Sequence, residues 1–99
     1  MTPPVLPATR DERIALARAT IADLLDDGDQ LDAEPTTSLE NPALVMFRVQ
    51  VPDESRAAEL CADVAEATGN AGFPAISYGS LPPADDAYRV AIYVQVGAP

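Results

Sequence analysis

The chain contains no histidine, no lysine, no tryptophan and a single cysteine among its 99 residues. Each absence removes a class of chemistry. Without His, general acid–base catalysis loses its usual carrier, and serine triads and Cys–His dyads lose their base. Without Lys, a Ser–Lys arrangement is closed as well. Cys61 has no partner for an intramolecular disulfide. It falls on the expected core face of a helix, where a free thiol behaves as a small hydrophobe. There is no Walker A motif and no Gly-x-Gly-x-x-Gly, and Gly69-Asn70-Ala71-Gly72 follows a helix rather than opening one. Paired carboxylates are chemically open to the chain, but nothing holds two of them across an apolar cleft. The expectation is therefore a protein with no catalytic, cofactor-binding or metal-binding residues and no small-molecule substrate.

Long apolar runs are missing too. None approaches the roughly 20 residues a membrane span needs. Met1-Thr2-Pro3-Pro4-Val5-Leu6-Pro7 lacks the basic region and apolar run of an export signal. A soluble protein, cytoplasmic or part of a virion, is expected. Positive charge is scarce: six Arg face sixteen acids, for a net charge of −10. Phosphate binding needs clustered cations, so nucleic acid and anionic membranes are poor partners. Solubility, or electrostatic docking on a basic partner, remains. Aromatics are only 5% against 47% apolar residues, which points to a thin core of Val, Ile, Leu and Ala.

What is present specifies one small domain. Residues 1–9 carry three of the prolines and read as an extended arm, with Pro3, Pro4, Val5, Leu6 and Pro7 as contact candidates; proline lowers the entropy lost when such an arm docks. Residues 10–99 form the domain. Ile14, Ala17, Ile21, Leu24 and Leu25 recur at helical spacing and predict a first helix from about residue 10 to 27. Thr9 or Asp11 caps it, and Gly28 suits a left-handed terminus. Arg10, Arg13 and Arg18 near its start and Asp23, Asp26 and Asp27 near its end oppose the helix dipole. The helix must then depend on packing or on what its charged end meets.

Residues 28–43 read as an acidic loop with Pro35 and Pro42, long for so small a domain and hence a candidate functional segment. Asp29, Asp32 and Glu34 are its contact candidates, and Leu31 and Leu39 are expected to pin it. Setting Gly28 at the sixth position of a calcium loop places Asp23, Asp27, Asp29 and Glu34 at positions one, five, seven and twelve. Leu25 then falls at the third position, where it cannot ligate, and Pro35-Thr36-Thr37 do not start the exiting helix, so a frayed acidic helix end is the better reading, with a low-affinity surface site for a divalent cation as the alternative to a true calcium loop.

Val45, Phe47, Val49 and Val51 alternate with Leu44, Met46, Arg48 and Gln50, predicting a strand with the first set facing the helices. Asp53 caps a second helix with Glu54 in its first turn and a buried stripe of Ala57, Leu60, Cys61, Val64 and Thr68. Gly69, Asn70 and Gly72 stop it. A short strand over residues 75–78, a turn over 79–86 and a last strand over 88–96 follow. Tyr88, Val90, Ile92, Val94 and Val96 share one face of that strand. The expected fold is α+β in the order α-β-α-β-β: a three-stranded mixed sheet with both helices on one face, a split β-α-β unit of the ferredoxin-like kind, the last strand in the middle. Arg48 and Tyr93 then lie on the uncovered face as contact candidates, with Met46 and Gln95.

Two resemblances bear on function. Gln95-Val96-Gly97, with Arg48-Val49-Gln50-Val51, resembles the short strands of SPOR-type peptidoglycan-binding domains, where a strand leads into a helix and then a hairpin. Ordinary strand pairing explains the same residues. A broader likeness runs over residues 10–96: a helix with Arg13-Ile14 and Leu24-Leu25, an acidic loop, a strand into a helix, and a final strand Tyr88-Arg89-Val90-Ala91-Ile92-Tyr93-Val94-Gln95-Val96. This order resembles the small α+β tail-terminator and neck proteins of long-tailed phages, which form rings where head meets tail. The resemblance implies a structural assembly subunit and a homo-oligomer or larger assembly. The alternative is an acidic binding module, such as an inhibitor, an immunity protein or a DNA mimic on a basic partner.

Overall fold

Val45, Phe47, Val49 and Val51 are each no more than 1% exposed, while Arg48 and Gln50 between them are exposed. That alternation makes Leu44–Val51 a strand with one buried face, because successive side chains leave a strand on opposite sides. In the structure, a computed structural model describing residues 6–32, 34–84 and 87–97, the elements are α1 (Arg10–Ala22), β1 (Gln30–Leu31), β2 (Thr36–Thr37), β3 (Leu44–Val51), α2 (Glu54–Asn70), β4 (Ile76–Ala84) and β5 (Ala87–Gln95). The fold is α+β. The sheet runs β1-β3-β5-β4, with β2 beside β1 on the same side of β3.

The last strand lies in the middle, as its length and apolar content predict. Both β3 and β4 pair antiparallel with β5. They therefore run in one direction, joined by α2, but do not touch as a parallel pair. Two expectations need correction: the sheet has five strands rather than three, and every neighbouring pair is antiparallel rather than mixed. The additional strands are short segments inside the acidic loop, whose polar sequence carries no strand pattern of its own. β4 also extends through residues 79–84, where Gly and Pro predict a turn. The long β5 supplies a pairing surface, and an edge strand tolerates proline because its outer N–H groups need no partner. The register shifts between Leu81 and Ala84.

α2 forms as its sequence predicts. Asp53 accepts from the Arg56 N–H at 2.7 Å as N-cap, and Leu60, Cys61, Val64 and Thr68 are buried. Thr68 keeps its hydroxyl in the core by donating to the Val64 carbonyl at 2.7 Å. The helix ends at Ala71, and Gly72 takes the left-handed turn at φ 101°; Gly69 lies inside the helix. α1 is shorter than predicted. Thr9 caps it by accepting from the Glu12 N–H, but it stops at Ala22, with Asp23 as a right-handed C-cap. Gly28 is thus beyond the helix and ends nothing, and among the described glycines only Gly72 and Gly97 have positive φ.

Both helices pack on one face of the sheet. Ala17 and Ile21 of α1 and Leu60, Cys61 and Val64 of α2 join Val45, Phe47, Val49, Val51, Val90, Ile92, Val94 and Val96 in one core. Valine dominates it, and burying each such side chain contributes roughly 1.5–3 kcal/mol. Among the described residues no helix is long and apolar enough to cross a membrane.

Candidate interaction surface

The first turn of α1 carries Asp11 and Glu12, which suit the helix dipole, and the arginines near its start serve as attachments. Arg10 donates to the Pro42 carbonyl at 3.0 Å and to Thr37 Oγ1 at 3.3 Å. Arg13 donates through Nε to the Pro7 carbonyl at 2.7 Å and through Nη1 to the Val96 carbonyl at 3.3 Å. Arg18 donates to the Asp32 carbonyl at 3.0 Å. Each cation is where it can bind a loop or terminus to the body, and Asp26 and Asp27 lie outside the helix whose dipole they would oppose. Gly97 belongs to this set. Its φ of 90° suits glycine, and a Cβ there would stand 2.9 Å from Arg13 Nη1.

The strongest of these attachments joins the turn after α1 to the start of α2. Arg56, on the first turn of α2, donates through Nε and Nη2 to Asp29 Oδ2 at 2.9 and 2.6 Å. It also donates to the Leu24 carbonyl at 2.8 Å and to Glu59 Oε1 at 2.7 Å. The side chains of Arg56 and Asp29 are 11% and 1% exposed. Burial alone raises the Asp29 pKa; the hydrogen bond from Arg56, the Asp26 N–H and the Arg56 charge outweigh it, and the carboxyl titrates below its ordinary value of 3.8. Its hydrogen bond to Asp29 raises Arg56 in turn, against the cost of burial. A recess of about 360 Å³ beside the pair is lined by Asp26, Asp53 and Glu59. The guanidinium is the cation these acids surround. Among the described residues no three Asp, Glu or Cys side chains are arranged to hold a metal ion. Burial also raises the Cys61 thiol pKa, so it stays protonated and inert.

The sequence-predicted contact residues divide accordingly. Pro3, Pro4 and Val5 lie outside the described residues. Leu6 packs against the core and the Pro7 carbonyl is held by Arg13, so the described end of the arm is part of the body. Asp29 departs from its expected role as a contact residue: its carboxylate is turned inward onto Arg56 because that buried cation requires a counter-charge. Asp32 and Glu34 are exposed, and Asp32 accepts from Arg48 Nε at 2.9 Å across a half-exposed ion pair. Leu31 pins the loop as expected, but Leu39 is 99% exposed and pins nothing. Arg56 carries little signal in the sequence: it is an arginine three residues after the cap Asp53, among scarce cations.

Opposite the helices no helix or strand among the described residues packs on the sheet. The register places Leu44 beside Gln95, Met46 beside Tyr93, Arg48 beside Ala91 and Gln50 beside Arg89 on this face. Leu44, Met46 and Tyr93 are half-buried, Ala91 is buried, and Arg48 and Gln95 are exposed. Arg48, Tyr93, Met46 and Gln95 thus share one surface, as the alternation predicts. At one end Ser38, Glu40, Asn41, Leu44, Ser77 and Tyr93 line a recess of about 380 Å³. Leu39 projects from the loop between two of these residues. Compared with protein-family models, curated proteins and solved structures, the chain shows no significant match to any of them.

Proposed function

We propose that this protein is a non-enzymatic assembly subunit whose uncovered sheet face, with Leu39 at its rim, binds other protein subunits. The carrying observation is the fully exposed Leu39 on the loop whose Ser38 and Glu40 line a recess with the half-buried Leu44 and Tyr93. A large apolar side chain at a polar-rimmed recess fits the anatomy of a protein interface, with an apolar centre and a polar surround. Arg48, Gln50, Gln95 and Glu40 form that surround. The resemblance to phage tail-terminator and neck proteins makes a homo-oligomeric ring at a head–tail joint the specific form of the proposal. The location would then be the virion or the cytoplasm in which it assembles. Light scattering after size exclusion, over a concentration series, tests it. The wild type is expected to run above monomer mass, and Leu39→Asp to shift it toward monomer with unchanged thermal stability, since Leu39 has no internal packing to lose. A wild type monomeric throughout would overturn self-assembly.

A second reading rests on charge. Glu54, Glu59 and Glu66 on α2 and Asp26 and Asp27 in the turn are exposed, whereas Arg56 among them is largely enclosed and already paired with Asp29. That helix-side surface suits an acidic module docking on a basic partner. Binding that falls steeply with salt would favour it.

A further inference from the structure

The outer edge of β4 carries an inference that deepens the assembly reading and rests on it. In an antiparallel ladder, alternate residues direct their N–H and C=O groups to one side of the strand and then the other. The Gln95 N–H donates to the Ala75 carbonyl at 3.1 Å. With the register Ile76 to Val94 through Leu81 to Arg89, this turns Ser77, Gly79 and Leu81 toward β5 and Ile76, Tyr78 and Ser80 outward. Among the described residues nothing pairs with those outward groups.

We infer that a second copy of this chain docks here, its β4 pairing antiparallel with this one about a two-fold axis at Tyr78. Three observations select that occupant. First, β3's outer edge is taken. Its outward residues Leu44, Met46, Arg48 and Gln50 are met by Ser38, Thr36, Asp32 and Gln30. A sheet with two open edges can add copies head to tail, but a sheet with one can join a copy of itself only edge to same edge, a two-fold contact. Second, no charged residue lies between Glu66 and Asp85 in a chain of net charge −10. A strand without charge lets two copies of so acidic a protein bring their backbones together with little repulsion. Third, the open stretch is bounded by residues without an N–H, Pro74 before it and Pro82 and Pro83 after it. Pairing that uses every outward residue between them sets Ile76 opposite Ser80 and Tyr78 opposite itself. Tyr78, 57% exposed, then meets its counterpart beside a groove of about 200 Å³ where Ala57, Ala58 and Cys61 leave room for the ring and Glu54 is the one charged residue of the lining.

A charge swap at the self-opposed position tests this. Tyr78→Lys and Tyr78→Asp each place like charges across the axis and should weaken dimerisation at least about tenfold. An equimolar mixture should recover a dimer that native mass spectrometry identifies as mixed. In the wild type, amide exchange at Ile76, Tyr78 and Ser80 should slow as concentration rises, a readout that needs no variant. If the wild type assembles, both single variants assemble equally well and these amides stay fast, the edge inference is overturned and the sheet-face proposal stands. A wild type monomeric at all concentrations, with fast amides throughout, overturns both.

Discussion

The two edges of this sheet are finished differently. β3's outer edge is covered along its length by segments of the acidic loop, themselves held by arginines on α1, on α2 and on β3. β4's outer edge carries no cover, no charge and no ion pair among the described residues. An exposed edge is a template for another strand, and proteins block such edges with loops, charges or proline. Here one edge is blocked by a loop and its cations, the other only at its ends by proline. The contrast teaches where this small domain spends its scarce positive charge: on fixing the loop that closes one edge, leaving the other neutral and available.

Breaking the covered side should have the largest effect. Arg56→Ala removes the partner of a carboxylate that is 1% exposed, and losing one member of a buried pair costs about 3–5 kcal/mol. Chemical denaturation at neutral pH should show that loss, where an exposed Arg→Ala change would show a small fraction of it. The same pair should also sign the pH dependence. Asp29's pKa in the folded protein is below its ordinary value, so its stabilisation is complete above about pH 4 and is lost as pH falls through the folded pKa. Measured against Asp29→Asn, the wild type should therefore lose stability below about pH 4. In Arg56→Ala only the Asp26 N–H still opposes burial at Asp29, so its pKa should rise and the slope should flatten. An unchanged slope would mean that Arg56 does not set Asp29's titration. The smallest effect sharpens the contrast from the other direction. Asp32→Ala removes a half-exposed ion pair with Arg48, and such pairs contribute under about 1 kcal/mol. A near-neutral result by thermal denaturation would show that β1 covers β3 through backbone pairing, not through this bridge.

Much of the fold was legible residue by residue. The alternation of Val45, Phe47, Val49 and Val51 identified β3 and its buried face, since a strand's period of two leaves no other assignment. Asp53 and the spacing of Leu60, Cys61, Val64 and Thr68 identified α2. The contact surface was half legible: the same alternation put Arg48 and Tyr93 on one uncovered face, but Leu39's exposure and Asp29's inward turn depend on neighbours distant in the chain. Gly79 to Ala84 read as a turn because local propensity favours one, and pairing with β5 overrode it.

By itself, then, the sequence determined the secondary structure of its periodic segments, the faces they bury, the α+β class and the absence of histidine and lysine chemistry, because these follow from local spacing and composition. Only the tertiary structure decided that the acidic loop supplies two strands, that Arg56 and Asp29 pair with their charged groups turned inward, and that one edge of the sheet is closed while the other is unpaired among the described residues. Those features are made by contacts between residues far apart in the chain, and their energies depend on burial and on partners that no local pattern encodes.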